Sequence, residues 1–267
     1  MAQTWLFASG KGGVGKSTLC AALGVALAKA GHSVAIMDAV CGLRNQDLLL
    51  NMADRIVYDL GDVIEKNCDI DQALTEHGEY HNLKLLSAPQ FISMNRLNPK
   101  DMRKLIGALR VRFDFVLVDC PSGIEKGLIN VVESADRVLL VLTPDDVSMR
   151  DGERAAQIIE QQKGPRPELI VNRLMPHLVE NGVMYTPETV SMVLDLELMG
   201  IIPDDVSVYR SVLTHEDWMQ NRGDAALAVE RIAKRMAGET VSLPAYAPSG
   251  NKSFFDRFKR KRGDTLL

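Results

Sequence analysis

Gly10-Lys11-Gly12-Gly13-Val14-Gly15-Lys16-Ser17-Thr18 is the stretch whose reading decides the fold. It follows an apolar run, Trp5-Leu6-Phe7-Ala8, and opens onto an alanine-rich apolar segment over residues 19–30. Strand, glycine turn and helix are the context that the phosphate-binding pattern G-x-x-x-x-G-K-[ST] requires. Glycines let consecutive backbone N–H groups converge without Cβ clashes. The helix that starts here adds its own free N–H groups and its positive end. In this pattern Gly12, Gly13, Val14, Gly15 and Thr18 belong to the phosphate cradle, Lys16 reaches the β- and γ-phosphates, and the Ser17 hydroxyl ligates Mg²⁺. The stretch predicts binding of a nucleoside triphosphate.

Outward from the loop, apolar runs suited to buried parallel strands recur at 5–8, 34–37, 83–86, 115–118, 138–142 and 169–171, with a seventh at 200–202. Helical patterns fall between most of them, at 18–30, 98–111, 126–134, 148–162 and 224–237. This alternation predicts a single doubly wound α/β domain over residues 1–238, a mostly parallel sheet with helices on both faces. Ligands then gather at the carboxyl ends of the strands. One such end is Phe115-Val116-Leu117-Val118-Asp119, four apolar residues closing on an acid. Alone, an acid there is commonly a helix cap. Behind the phosphate loop, Asp119 reads as the group that holds Mg²⁺, directly or through a water.

The chain has 267 residues, 46 % of them hydrophobic and 25 % charged, enough for a sizeable core. No apolar run is long enough to span a bilayer, and no basic residues precede a hydrophobic stretch at the start, so neither a membrane span nor a secretory leader is predicted. Cys20, Cys41, Cys68 and Cys120 lack C-x-x-C spacing and read as reduced, cytosolic thiols. The net charge of −4 is unevenly spread. Lys252, Arg257, Lys259, Arg260, Lys261 and Arg262 face only one acid, Asp256, so the body is more acidic than the whole. A basic tail on an acidic body is the pattern of a separate attachment device.

Lys11 narrows the field, because a generic phosphate loop has no need of it. The string Lys-Gly-Gly-Val-Gly-Lys-Ser-Thr resembles the deviant Walker A loop of the MinD/ParA family, which also includes the nitrogenase iron protein. The resemblance implies an ATPase that sandwiches ATP between two subunits, with Lys11 crossing to the partner's nucleotide. Gly42-Leu43-Arg44-Asn45-x-Asp47 resembles the first switch of the family's MinD branch. Here the chain departs from the family. After Asp38, which the resemblance leaves near Mg²⁺ or the loop, the family carries a second aspartate that orients the attacking water, and this chain has Val40. Valine neither accepts a proton nor holds a water, so slow hydrolysis with intact ATP binding is predicted.

Asp119-x-Pro121-x-Gly123-Ile124 resembles the second switch, where Gly123 senses the γ-phosphate. Residues 143–151 resemble the family's subunit interface, with Ser148 expected to cap the helix that begins there. Asn172-Arg173 resembles the adenine-reading motif, Asn pairing with the base edge and Arg stacking on it. Pro203, Asp204 and Asp205 are expected to close the other side of the base through backbone groups.

Residues 239–251 contain Ser242, Pro244, Pro248, Ser249 and Gly250, the composition of a flexible linker. The tail, 252–267, follows. In it Phe254, Phe255 and Phe258 share one helical face with Arg257, Lys259, Arg260, Lys261 and Arg262 around them. This pattern describes an amphipathic helix that lies on an anionic membrane surface. Each basic group near such a surface is worth about 1 kcal/mol, yet ordering each residue costs about 1–2 kcal/mol. One tail is marginal; two on one dimer gain by effective concentration. The tail resembles the MinD membrane-targeting sequence.

Together the resemblances imply a cytoplasmic ATPase, peripheral on the inner face of the cell membrane, that regulates septum placement. Its implied partners are a second copy of itself, a division inhibitor and a protein that stimulates hydrolysis. The rival readings are a related regulator of flagellar number, a ParA-type DNA partition ATPase and, more remotely, a carrier of a metallocluster. An acidic body argues against general nucleic-acid binding.

Overall fold

The computed structural model describes residues 2–90, 98–123, 126–214, 217–220 and 223–244. The chain begins with β1 (Gln3–Ala8), whose side chains alternate between the two cores: Trp5 and Phe7 on one face, Leu6 and Ala8 on the other. Helix α1 (Lys16–Lys29) follows the glycine loop, then β2 (Val34–Asp38), α2 (Gln46–Leu49), α3 (Leu60–Glu65), α4 (Ile70–Ala73), β3 (Leu74–Glu76) and β4 (Leu83–Leu86). Next come α5 (Pro99–Arg110), β5 (Phe115–Asp119), α6 (Lys126–Val132), β6 (Arg137–Leu142) and α7 (Asp146–Gln161). The chain continues through β7 (Glu168–Leu174), α8 (Pro176–Glu180), α9 (Pro187–Leu194), β8 (Leu198–Pro203), α10 (Val206–Thr214) and α11 (Asp224–Met236).

The eight strands form one sheet in the order β3-β4-β2-β5-β1-β6-β7-β8. All pairings are parallel except β3 with β4. The doubly wound prediction holds, with one addition. Seven strands were expected; β3 is an eighth, three half-buried residues at the antiparallel edge, too short and too exposed to give an apolar run. Because β1 sits between β5 and β6, successive crossovers diverge from it. The crevice at its carboxyl end is the switch point where such sheets bind ligands.

Helix α1 is apolar nearly all round because it is buried on nearly all sides, by the sheet beneath and α11 alongside. On the opposite face α5, α6, α7 and α9 cover the second core. No helix among the described residues is long and apolar enough to cross a membrane.

The first part of the expected linker is not free of the domain. Arg235 of α11 donates to Val241 O at 2.9 Å and Ser242 O at 2.7 Å, and also to Met199 O at 3.1 Å. A flexible-linker composition therefore misreads residues 241 and 242, whose carbonyls find a five-donor guanidinium within reach. The tail residues Phe254, Phe255, Arg257, Phe258, Lys259, Arg260, Lys261 and Arg262 lie outside the described residues.

Candidate functional site

The loop leaves β1 at Ser9, which is buried and whose Oγ has no hydrogen-bond partner. A Cβ at Gly10 would stand 2.0 Å from Asp151 O, so the loop lies against the backbone of α7 as only glycine can. Gly13 and Gly15 take left-handed φ values of +79° and +92°, turning successive N–H groups the same way. Gly15 is the N-cap of α1, with no side-chain cap and no acid in the first turn. Among the described residues, no side chain accepts from the backbone N–H groups of 12–18, and the chain turns at Gly12 and Gly13 before the helix begins. A helix start normally satisfies such donors with a cap. Uncapped on a glycine loop, they form a site for a phosphate-sized anion.

The expected charged residues converge beneath this loop. Lys16 Nζ is ion-paired with Asp119 Oδ1, both side chains almost fully buried. Asp119 closes β5 and stands in register with Asp38 at the end of β2. Two buried carboxylates at one level need cations and donors around them. Burial first, and then the Asp119 charge, pushes Asp38 up to about 7. The N–H groups of Gln46 and Val40 and the charge of Lys16 oppose that rise.

Asp38 does more than sit near the loop. Its Oδ1 accepts from Val40 N at 2.9 Å, and its Oδ2 from Asn45 N and Gln46 N, each at 3.1 Å. It therefore staples residues 40–46 to the sheet. Val40 lies in that stapled turn beyond the strand, 8 % exposed. Gln46, at the unspecified position of the first-switch pattern, was missed from sequence. Its Nε2 donates to Asp119 Oδ2 at 2.7 Å and to Ser17 O at 3.0 Å. A glutamine beginning a four-residue helix carries no periodic signal that could have marked it.

Gly123 has φ of +90°, and its N–H donates to Ser9 O at 2.9 Å, tying the second-switch segment to the start of the loop. Lys11 is half-exposed at the rim, with Nζ 3.8 Å from Asp145 Oδ1. The cap expected at Ser148 is Asp145 instead. Its Oδ1 accepts from Ser148 N at 3.0 Å, whereas Ser148 Oγ accepts from Thr143 N. The helix starts at Asp146, so Ser148 already lies inside its first turn, where a hydroxyl cannot cap.

The expected base-reading residues line a cleft of about 90 Å³ with Gly15, Thr18 and Trp218. Asn172 Nδ2 donates to Val14 O at 2.7 Å, and a Cβ at Gly15 would come within 2.4 Å of the same nitrogen. Asn172 thus positions the phosphate loop from behind. The Arg173 guanidinium stands 5.6 Å from the Tyr209 ring centroid, and Tyr209 donates to Asp204 Oδ1 at 2.9 Å. Asp204 N donates to Leu174 O at 2.8 Å. The Asp205 carboxylate is occupied with Ser207 N at 2.8 Å and Ala225 N at 3.2 Å. Its side chain holds the starts of α10 and α11.

The cysteines play no part in this cluster. Cys20 and Cys120 are buried, Cys41 and Cys68 half-buried, and burial pushes the Cys41 thiol up to about 12. For Mg²⁺ the donor set fits: a hydroxyl at Ser17 and the carboxylate of Asp119 are hard oxygen ligands, and the uncapped N–H groups suit the phosphates it would accompany.

Comparison with known proteins agrees with this geometry. The ParA family model, described as NUBPL iron-transfer P-loop NTPase, matches residues 1–235. The septum site-determining protein MinD of Helicobacter pylori is 40 % identical over 266 residues, covering 97 % of this chain and 98 % of that protein. Among solved structures, the MinC:MinD cell division protein complex of Aquifex aeolicus superposes with a TM-score of 0.85 at 35 % identity, covering 92 % of this chain and 99 % of the other. MinD of Pyrococcus horikoshii, solved with Mg-ADP, shares the fold with a TM-score of 0.78 at 24 % identity, over 88 % of this chain and 96 % of its own. The chain belongs to the ParA-type P-loop ATPases and, within them, to the MinD septum site-determining proteins that regulate cell division.

Proposed function

We propose that this ATPase binds Mg·ATP between two copies of itself, attaches to anionic membrane through paired C-terminal tails, and there recruits a division inhibitor. The observation that carries the reading is the glycine loop over 12–18, whose N–H groups no side chain caps, set on an uncapped helix above the Lys16–Asp119 pair. That arrangement suits the oxygens of a chain of phosphates. Lys11, half-exposed at the rim beside the half-exposed Asp145, is free to reach across to a partner's nucleotide. Exposed apolar residues near the same rim, Leu43, Leu48 and Val147, give that contact an apolar component.

Attachment follows from charge and valency. The body is acidic and the tail basic, so only the tail favours an anionic surface. The partner of the division-inhibitor type is supported by the related complex from Aquifex aeolicus. Release by a hydrolysis-stimulating protein completes the cycle, slowed by Val40 at the position where the family carries its water-orienting acid.

Sedimentation with vesicles containing phosphatidylglycerol tests the proposal. Pelleting is expected with Mg·ATP, not with Mg·ADP, and is lost on deleting residues 252–267. ATP-dependent retention on duplex DNA that survives the deletion would sink this reading in favour of a partition ATPase.

A further inference from the structure

Gln46 is fully buried and is bonded to three other parts of the chain. Its backbone N–H meets Asp38 Oδ2 at the end of β2, and its side-chain amide meets Asp119 Oδ2 at the end of β5 and Ser17 O in the first turn of α1. Both side-chain contacts are to groups that can only accept, so the amide has one allowed orientation, with NH₂ toward Asp119 and Ser17. Oε1 is therefore directed away from them. Among the described residues this buried oxygen has no donor. A buried amide oxygen is strongly disfavoured without one. The partner it calls for gives hydrogen bonds and need not accept any. Water bound to a divalent cation has this character, since its lone pair is committed to the metal and its protons are made more acidic.

We infer that Gln46 is a positioning residue for the divalent cation that accompanies the nucleotide. Its NH₂ orients the Asp119 carboxylate, and its Oε1 accepts a hydrogen bond from a cation-bound water. The inference rests on the Mg-nucleotide reading of the loop and adds to it a group outside the phosphate-loop and strand-end motifs. It also joins the cation to the first switch, because the residue that senses the metal is the one whose backbone N–H is stapled by Asp38.

Titration calorimetry of the full chain with ADP, in EDTA and over a series of Mg²⁺ concentrations, tests this. Gln46→Leu removes donor and acceptor at similar volume. It is expected to raise the Mg²⁺ concentration needed for half-maximal tightening of ADP by about tenfold, the usual scale for losing an outer-shell partner. Its ADP affinity in EDTA is expected to stay within about twofold of the parent, because Gln46 bonds a carbonyl of the loop and none of the N–H groups that would meet the phosphates. Gln46→Met, which also lacks the acceptor but keeps an unbranched chain, is expected to show the same shift. An unchanged requirement in the Leu and Met variants overturns the inference, as does an equal loss of ADP affinity with and without Mg²⁺, which would mark a merely structural role. A parent chain that binds no ADP in Mg²⁺ overturns the nucleotide reading itself, and this inference with it.

Discussion

At the scale of single residues, the slow hydrolysis we propose rests on Val40. Its N–H is bound to Asp38 and its carbonyl accepts from Leu43 N and Arg44 N, each at 3.3 Å, so the backbone of the turn is well fixed. What the position lacks is a side chain able to hold a water. Val40→Asp is expected to raise steady-state ATP turnover, measured with vesicles present, by at least about tenfold, a barrier reduction of about 1.4 kcal/mol. An unchanged rate would show that water is positioned from elsewhere. The same neighbourhood shows where sequence reading succeeds and stops. Lys16, Ser17 and Asp119 were legible because fixed spacing and a strand end specify them locally. Gln46 was not, because its meaning depends on β2 and β5 bringing Asp38 and Asp119 level, which sets Gln46 against an acid 73 positions away. The support that the Asn172 amide gives Val14 O was not legible either, a contact 158 positions apart that no local pattern encodes.

At the scale of elements, the long apolar strands and amphipathic helices were readable from periodicity, whereas β3 was too short to give a pattern and the start of α7 was decided by a side-chain bond. Helix α7 is the clearest case. Asp145 caps it by accepting from Ser148 N, and also accepts from Thr143 Oγ1 at 2.5 Å, closing the turn between β6 and α7. Burial opposes ionisation of Asp145, but the bonds from Thr143, Ser148 and Val147 and the nearby Lys11 charge outweigh it and hold the carboxyl below its usual range. For a carboxyl lowered on folding, the stabilisation is complete above the unfolded value of 3.8 and fades as pH falls through the folded one. Asp145→Ala is expected to cost about 1 kcal/mol and to lower the melting temperature by about 2–4 °C at neutral pH. Asp145→Asn, which keeps an acceptor for the cap, is expected to recover most of that loss. Equal melting of parent and Ala variant at neutral pH would show that another group starts the helix.

At the scale of the whole molecule, the proposed function sets the chemistry on one rim and the attachment device in residues 252–267, and in that proposal nucleotide state reaches the membrane by changing how many tails act together. A single tail has little net affinity once the ordering of its residues is counted. A dimer joins two, and the second binds at an effective concentration set by the tether, typically millimolar for a short linker. Lys11 is where this coupling is tested apart from nucleotide binding itself, because it lies outside the run of N–H groups over 12–18 and 3.8 Å from a half-exposed acid of its own chain. Lys11→Ala is expected to leave ADP affinity within about twofold of the parent, since the cradle, Lys16 and Asp119 are untouched. It is expected to abolish ATP-dependent dimerisation in light-scattering chromatography, and with it to reduce vesicle pelleting by about 10²-fold, the lower range of a lost second anchor. A Lys11→Ala chain that stays monomeric with ATP yet still pellets as the parent does would break the link between dimer and membrane. Attachment would then depend on exposure of a single tail rather than on the pairing of two.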